Sequence, residues 1–241
     1  MKYKVFKEVN DLYDFAFNLF KEEIIKNPSI KLGLATGGTP VPLYKRLVKD
    51  YQENKTDYSL VSTYNLDEYI GLDRSHPQSY HYFMNDILFR HININLNNCH
   101  IPSGVADNLE EEAFKYHKLV VDANIDIQLL GLGSNAHIAF NEPGTSFDSI
   151  TQIVSLTEQT KQDNKRFFEK IEDVPTTAIT MGIKDILNAK WIVLIAAGEN
   201  KADAVYNMIK GPVTEDVPAS VLQNHPNVLI LVDEEAAKKL W

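Results

Sequence analysis

The chain has 241 residues, enough for one large α/β domain or two small ones with a sizeable core. Its 44% apolar and 24% charged content is that of an ordinary globular fold, and its formal net charge of −9 makes nucleic acid and anionic membrane surfaces poor partners. An anionic ligand would need positive potential assembled locally from a few Lys, Arg and backbone N–H groups. The lone cysteine, Cys99, excludes an intrachain disulfide and has no Cys neighbours for a metal site. The opening MKYKVFKEVND has no signal-peptide apolar core, and no apolar run approaches membrane-spanning length, so a cytoplasmic location is expected.

In chain order, Tyr3–Lys7 alternates as a short strand. Asn10 or Asp11 can cap a helix to about Lys26, with Leu12, Phe15, Ala16, Leu19 and Phe20 on one face, and Asn27-Pro28 stops it. Ile30–Ala35 reads as a strand, Thr36–Pro40 as a glycine loop, and Val41–Tyr51 as a helix with Pro40 near its first turn. Leu60–Leu66 is the next strand, closing on Asp67-Glu68-Tyr69, and a Pro77-initiated helix follows to about Phe89. Asn108–Val121 has the amphipathic pattern of a helix and leads into an apolar strand, Ile125–Leu130. Thr157–Ile171 reads as a helix carrying Lys161, Lys165 and Arg166. Thr177–Met181, Trp191–Ala196 and Val228–Val232 are apolar enough for buried strands, separated by helices at Ile183–Leu187 and Lys201–Ile209. This alternation, with no linker or low-complexity break, predicts a single doubly wound α/β domain with a largely parallel sheet flanked by helices.

Three polar motifs fall at strand carboxyl ends, where such sheets bind ligands. In Ala35-Thr36-Gly37-Gly38-Thr39-Pro40, Gly37 and Gly38 allow close backbone approach, and the following helix offers N–H groups to an anion. Thr36 and Thr39 add hydroxyl donors. The loop lacks the Gly-Lys-Ser/Thr ending of a Walker A motif, and taken alone it reads equally as a tight strand-to-helix turn. In Asn65-Leu66-Asp67-Glu68-Tyr69, adjacent carboxylates on extended backbone face opposite ways, so at most one points into a site. A desolvated carboxylate there can act as a general base; left alone, the pair is a solvated helix start. The third, Gly131–Gly144 (GLGSNAHIAFNEPG), places Asn135, His137 and Glu142 in one turn, where two hydrogen-bonding groups can set the tautomer and basicity of a histidine. Its opening is similar to a dinucleotide fingerprint, but Ile138–Gly144 lacks a helical apolar period, which argues against NAD. Arg166 and Lys201 are candidate anion clamps, although either residue type is ordinarily a surface charge. The histidines form no metal-ligand spacing, and His76-Pro77 and His81 flank a helix start as structural residues.

Together ATGGTP, NLDEYIG, HPQSY, GLGSNAHIAFNEPG and NKRFF, in this order and over nearly the whole chain, resemble the glucosamine-6-phosphate deaminase family of NagB-type sugar-phosphate isomerases and deaminases. The resemblance implies the modified Rossmann-like fold of the NagB/6-phosphogluconolactonase type, with residues 1–241 as one unit. It also implies a reaction of amino-sugar catabolism: glucosamine 6-phosphate and water give fructose 6-phosphate and ammonium, with no metal or organic cofactor. Carried over by position, Asp67 matches the base that moves a proton between carbons 1 and 2, and His137 matches the residue that opens the pyranose ring, with Glu142 as its partner. Thr36, Gly37, Gly38, Thr39, Arg166 and Lys201 match the phosphate site.

Some members have Asp where this chain has Asn135, which can orient His137 but cannot share its charge; Asn135 is kept in the ring-opening set. Hexameric, allosterically activated members carry a basic pair after the NEP motif and a longer tail. Here that segment reads Thr151-Gln152-Ile153-Val154 and the sequence stops at Trp241. The expectation is a monomer or small homo-oligomer that N-acetylglucosamine 6-phosphate does not activate. Two alternatives stand beside the deaminase: a lactonase or isomerase acting on another sugar phosphate, and a non-catalytic sugar-phosphate sensor. The sensor is disfavoured because both Asp67 and His137 are retained.

Overall fold

The computed structural model describes every residue except 166, 167 and 169, and side chains other than those of 159, 163 and 164. Among the described residues ten strands follow one another: β1 (Lys2–Phe6), β2 (Lys31–Leu34), β3 (Ser62–Asn65), β4 (Asp67–Tyr69), β5 (Cys99–His100), β6 (Ile127–Leu130), β7 (Gln152–Ser155), β8 (Thr177–Thr180), β9 (Trp191–Ala196) and β10 (Val228–Asp233). The helices are α1 (Val9–Lys26), α2 (Val41–Asn54), α3 (Tyr80–Ile87), α4 (Leu109–Ala123), α5 (Glu158–Asn164), α6 (Ile183–Leu187), α7 (Ala202–Lys210) and α8 (Glu234–Ala237).

Seven strands form a sheet in the order β1-β10-β9-β6-β2-β3-β5, parallel at every pairing. Strands such as Trp191–Ala196 are apolar almost throughout because helices cover both faces. Leu12, Phe20, Leu43 and Met84 of α1, α2 and α3 fill one core. Tyr116, Val120, Val205, Met208 and Ala236 of α4, α7 and α8 fill the other. The doubly wound parallel sheet expected from the alternating elements is therefore present. From β2 the chain moves outward through β3 to β5, then returns to lay β6 against the other side of β2 and continues through β9 to β10. Strand order reverses between β2 and β6, so the loops after these two strands border the crevice where such sheets bind ligands.

The expected single sheet omits a smaller antiparallel one, β4-β8-β7. Thr177–Met181, read as one more buried strand, contributes Thr177–Thr180 as β8, which pairs here and not in the parallel sheet. Leu66 is the changeover: its N–H donates to the Leu34 carbonyl of the main sheet at 3.1 Å, and its carbonyl accepts from the Met181 N–H at 2.7 Å. Asp67 is the first residue beyond that changeover.

Three helix boundaries differ from expectation. α1 begins at Val9, with Glu8 and not Asn10 or Asp11 at its N-cap, and Glu8 makes no side-chain capping bond. α3 starts at Tyr80 and not Pro77, because Ser79 is the residue whose side chain accepts from a first-turn N–H, that of Tyr82. α5 ends at Asn164, short of the expected Ile171, which instead opens a separate 3-10 turn, Ile171–Asp173. Among the described residues no helix is long and apolar enough to cross a membrane.

Candidate active site

The carboxyl ends of β2, β3, β6 and β9 converge on one solvent-open cavity of about 160 Å³, lined by Thr36, Gly37, Gly38, Thr39, Asp67, His137 and Lys201. Seven of the ten residues singled out from the sequence thus face a common space.

The glycine loop is pinned at both ends by buried tyrosines. Tyr44 donates its hydroxyl to the Ala35 carbonyl at 2.6 Å, and Tyr13 donates to the Thr39 carbonyl at 2.7 Å. Gly37 has φ +81°, a conformation that favours glycine. Pro40 is the N-cap of α2, not part of its first turn, and Pro42 follows within that turn. Neither proline has an N–H, so the backbone donors available to an anion at this helix start are those of Gly37, Gly38, Thr39 and Val41. Across the cavity Lys201 ends a 3-10 turn that begins after Gly198. Gly198 has φ +92°, and its N–H donates to both oxygens of the buried Asp233 carboxylate at 3.0 Å. Asp233, which the sequence reading did not single out, also caps α8 by accepting from the Ala236 N–H at 2.8 Å.

Of the adjacent carboxylates, Asp67 faces the cavity and Glu68 does not. Asp67 is 6% exposed, and burial, followed by the negative charge of Glu68, pushes its carboxyl up to about 8. Ionised in this setting it is a far stronger base than an ordinary carboxylate.

The loop after β6 holds His137 by covalent geometry and by hydrogen bonds. Gly133 N–H donates to the His137 carbonyl at 2.9 Å, closing a tight turn in which Ala136 adopts φ +66°, and Ala139, two residues past the histidine, adopts φ +54°. Left-handed alanines cost on the order of 1–2 kcal/mol each, and here they flank the ring that faces the cavity. Asn135 accepts twice through Oδ1, from the His137 N–H at 3.2 Å and from His137 Nδ1 at 2.7 Å. Its Nδ2 donates to Glu142 Oε2 at 2.7 Å. These neighbours fix the amide orientation, since a backbone N–H only donates and a carboxylate only accepts. His137 therefore carries its proton on Nδ1 when neutral, leaving Nε2 as the lone-pair nitrogen. Burial alone would raise the Glu142 carboxyl, but the charge of the nearby His137, with hydrogen bonds from Thr160 and Asn135, outweighs it and holds the group down to about 2. Glu142 Oε2 lies 3.6 Å from His137 Nδ1, so an anion stands close to the ring although the residue between them is a neutral amide. Asn135 and Glu142 belong behind His137, not in the cavity wall.

Arg166 lies outside the described residues. The sequence reading missed two cavity residues, Tyr80 and Thr160. Tyr80 packs on Tyr69 with ring centroids 4.8 Å apart, and Tyr69 in turn lies 5.9 Å from Phe140. Burial holds the Tyr80 hydroxyl protonated well beyond its ordinary range. Thr160 donates its hydroxyl to Glu142 Oε1. HPQSY contains Tyr80, but nothing in its local pattern separates a cavity tyrosine from a core one.

Comparison with known proteins follows the same lines. A family model described as glucosamine-6-phosphate isomerases/6-phosphogluconolactonase matches residues 9–231. A glucosamine-6-phosphate deaminase of Clostridium perfringens (strain 13 / Type A) is 49% identical over 241 residues, covering 100% of both chains. One from Thermoanaerobacter pseudethanolicus is 52% identical over 223 residues, 92% of this chain and 88% of the relative. A solved structure described as a monomeric glucosamine-6-phosphate deaminase is 45% identical, superposes with a TM-score of 0.96, and covers 99% of each chain.

Proposed function

Because the chain belongs to the glucosamine-6-phosphate isomerase/6-phosphogluconolactonase family, we propose that it converts glucosamine 6-phosphate and water into fructose 6-phosphate and ammonium. The observation that carries this reading is the placement of two separate proton-transfer groups, Asp67 and His137, in one cavity opposite an anion cradle. Isomerisation with deamination needs both. A lactonase, the other activity in the family description, hydrolyses an ester and has no need of a base at carbon 2.

In this reading the dianionic phosphate sits on the Thr36–Thr39 loop and Lys201, with Arg166 as a further clamp, and its binding energy orients the reacting carbons. His137 takes the anomeric hydroxyl proton on Nε2 and returns it to the ring oxygen, opening the pyranose. The imidazolium formed in between is oriented by Asn135 and faces the Glu142 carboxylate at 3.6 Å. Asn135 thus keeps the ring in register while Glu142 supplies the charge that an aspartate would share directly. Asp67 then removes the carbon 2 proton and delivers it to carbon 1 through a cis-enolamine. Hydrolysis of the resulting imine at carbon 2 releases ammonium. None of these steps calls for a metal or organic cofactor. We read residues 1–241 as one catalytic unit, since strands of both sheets deliver residues to the cavity. It would act in the cytoplasm as a monomer or small homo-oligomer, without activation by N-acetylglucosamine 6-phosphate.

Asp67→Asn tests the assignment. Turnover should fall by at least about 1,000-fold while the affinity for glucosamine 6-phosphate stays within a few-fold, because the phosphate contacts lie elsewhere. Comparable losses of binding and of rate would contradict a purely chemical role for Asp67.

A further inference from the structure

Glu68 is wholly buried next to the proposed base, and its carboxylate is spent on the start of α3. Oε1 accepts from the backbone N–H groups of Tyr69 and Tyr80, each at 2.9 Å. Oε2 accepts from the His81 N–H at 3.0 Å and from His81 Nδ1 at 2.9 Å. Ser79 Oγ takes the next donor, the Tyr82 N–H, at 3.1 Å. The first three N–H groups of α3 are therefore capped by two side chains, and two of them by a carboxylate that arrives from another element. A carboxylate at a helix N-terminus is favourable, and this one fixes where Tyr80 enters the cavity wall.

We infer that Glu68, held by the start of α3 and by His81, is a positioning residue that sets the proton affinity of Asp67. The inference rests on reading Asp67 as the base. The two carboxylates are consecutive on β4, so they cannot separate, and Asp67 feels whatever charge Glu68 retains after its four donors. Tyr69 on β4, Tyr80 on α3 and Tyr116 on α4 are near enough to feel the Asp67 charge, and His137 and Lys201 line the same cavity. The tyrosines are neutral and Glu112 of α4 lies on the His81 side, so the negative charge acting on Asp67 is that of Glu68, and His81 is the titratable partner that tempers it. The His81 ring also borders a second cavity, shared with Arg74, His100, Glu112 and Lys115. It can therefore be altered without touching the substrate side.

Two variants move the base in opposite directions. Glu68→Gln keeps the shape and removes the charge, which makes Asp67 easier to ionise; the acid limb of kcat/KM should move to lower pH by at least about 0.5 unit. His81→Phe keeps both backbone donors and removes the ring donor, which leaves more charge on Glu68; the acid limb should move to higher pH. Substrate groups titrate identically in all variants, so differences between profiles report the enzyme. A merely structural role would lower melting temperature and rate without displacing the limb. Should Glu68→Gln fail to fold, His81→Phe, with its helix cap intact, decides the matter by itself. Limbs that coincide with the parent's would overturn the inference while an inactive Asp67→Asn left the base assignment standing. An Asp67→Asn protein with parental turnover would overturn the base assignment itself.

Discussion

Asp67 loses water on folding and faces the Glu68 charge, and the resulting basicity bears on stability as well as chemistry. Its folded carboxyl titrates near 8, against an ordinary 3.8, so the unfolded chain ionises first. Stability from this group is full below its ordinary range and is lost as pH rises through the folded value. Asp67→Asn removes that penalty. The variant should be more stable than the parent near pH 8.5, by on the order of a few kcal/mol, and the two should converge near pH 4. Urea unfolding across that range checks it; a difference independent of pH would mean that Asp67 is not desolvated as described. The alternation of extended backbone makes it legible from sequence that one of two adjacent carboxylates faces a site. It cannot say which one, because the choice is made by the start of α3, where Tyr80 and His81 deliver three of the four donors to Glu68.

Among the elements, the turn after β6 positions its histidine most tightly. A Cβ on Gly133 would lie 2.3 Å from His137 Cε1 and Nδ1, so any side chain there must push the ring aside. Gly133 has no positive φ that would make the substitution itself strained. Gly133→Ala should therefore still fold, at a cost of about 1–3 kcal/mol for the displaced ring, yet lose at least about 100-fold in kcat/KM, the usual effect of displacing a catalytic group by about an ångström. Circular-dichroism melting beside steady-state kinetics separates the two effects, and parental kinetics would remove His137 from the chemistry. Boundaries were harder to read than the elements themselves. Pro77 marks a turn and not the helix start, since the His76 carbonyl and Nδ1 take the Ser79 and Gln78 N–H groups before α3 begins. β7 left no signal because it is half exposed, and Thr177–Thr180 announced its burial without naming its partners.

At the scale of the whole molecule, a chain of net charge −9 concentrates donors that an anion could use where the strand order reverses. The cradle after β2, the histidine loop after β6 and Lys201 after β9 meet there, and the changeover at Leu66 brings Asp67 from the second sheet into the same space. The parallel architecture and most cavity residues were legible because strand-end motifs in a doubly wound fold have a predictable destination. The antiparallel sheet and Tyr80 were not, because each depends on contacts between segments distant in sequence. The most direct test of this account is ammonium release, assayed in EDTA, from glucosamine 6-phosphate beside unphosphorylated glucosamine, with hydrolysis of 6-phosphogluconolactone measured in parallel. The arrangement predicts ammonium from the phosphate ester alone and no lactone hydrolysis above background. A folded protein that releases no ammonium but opens the lactone would contradict it.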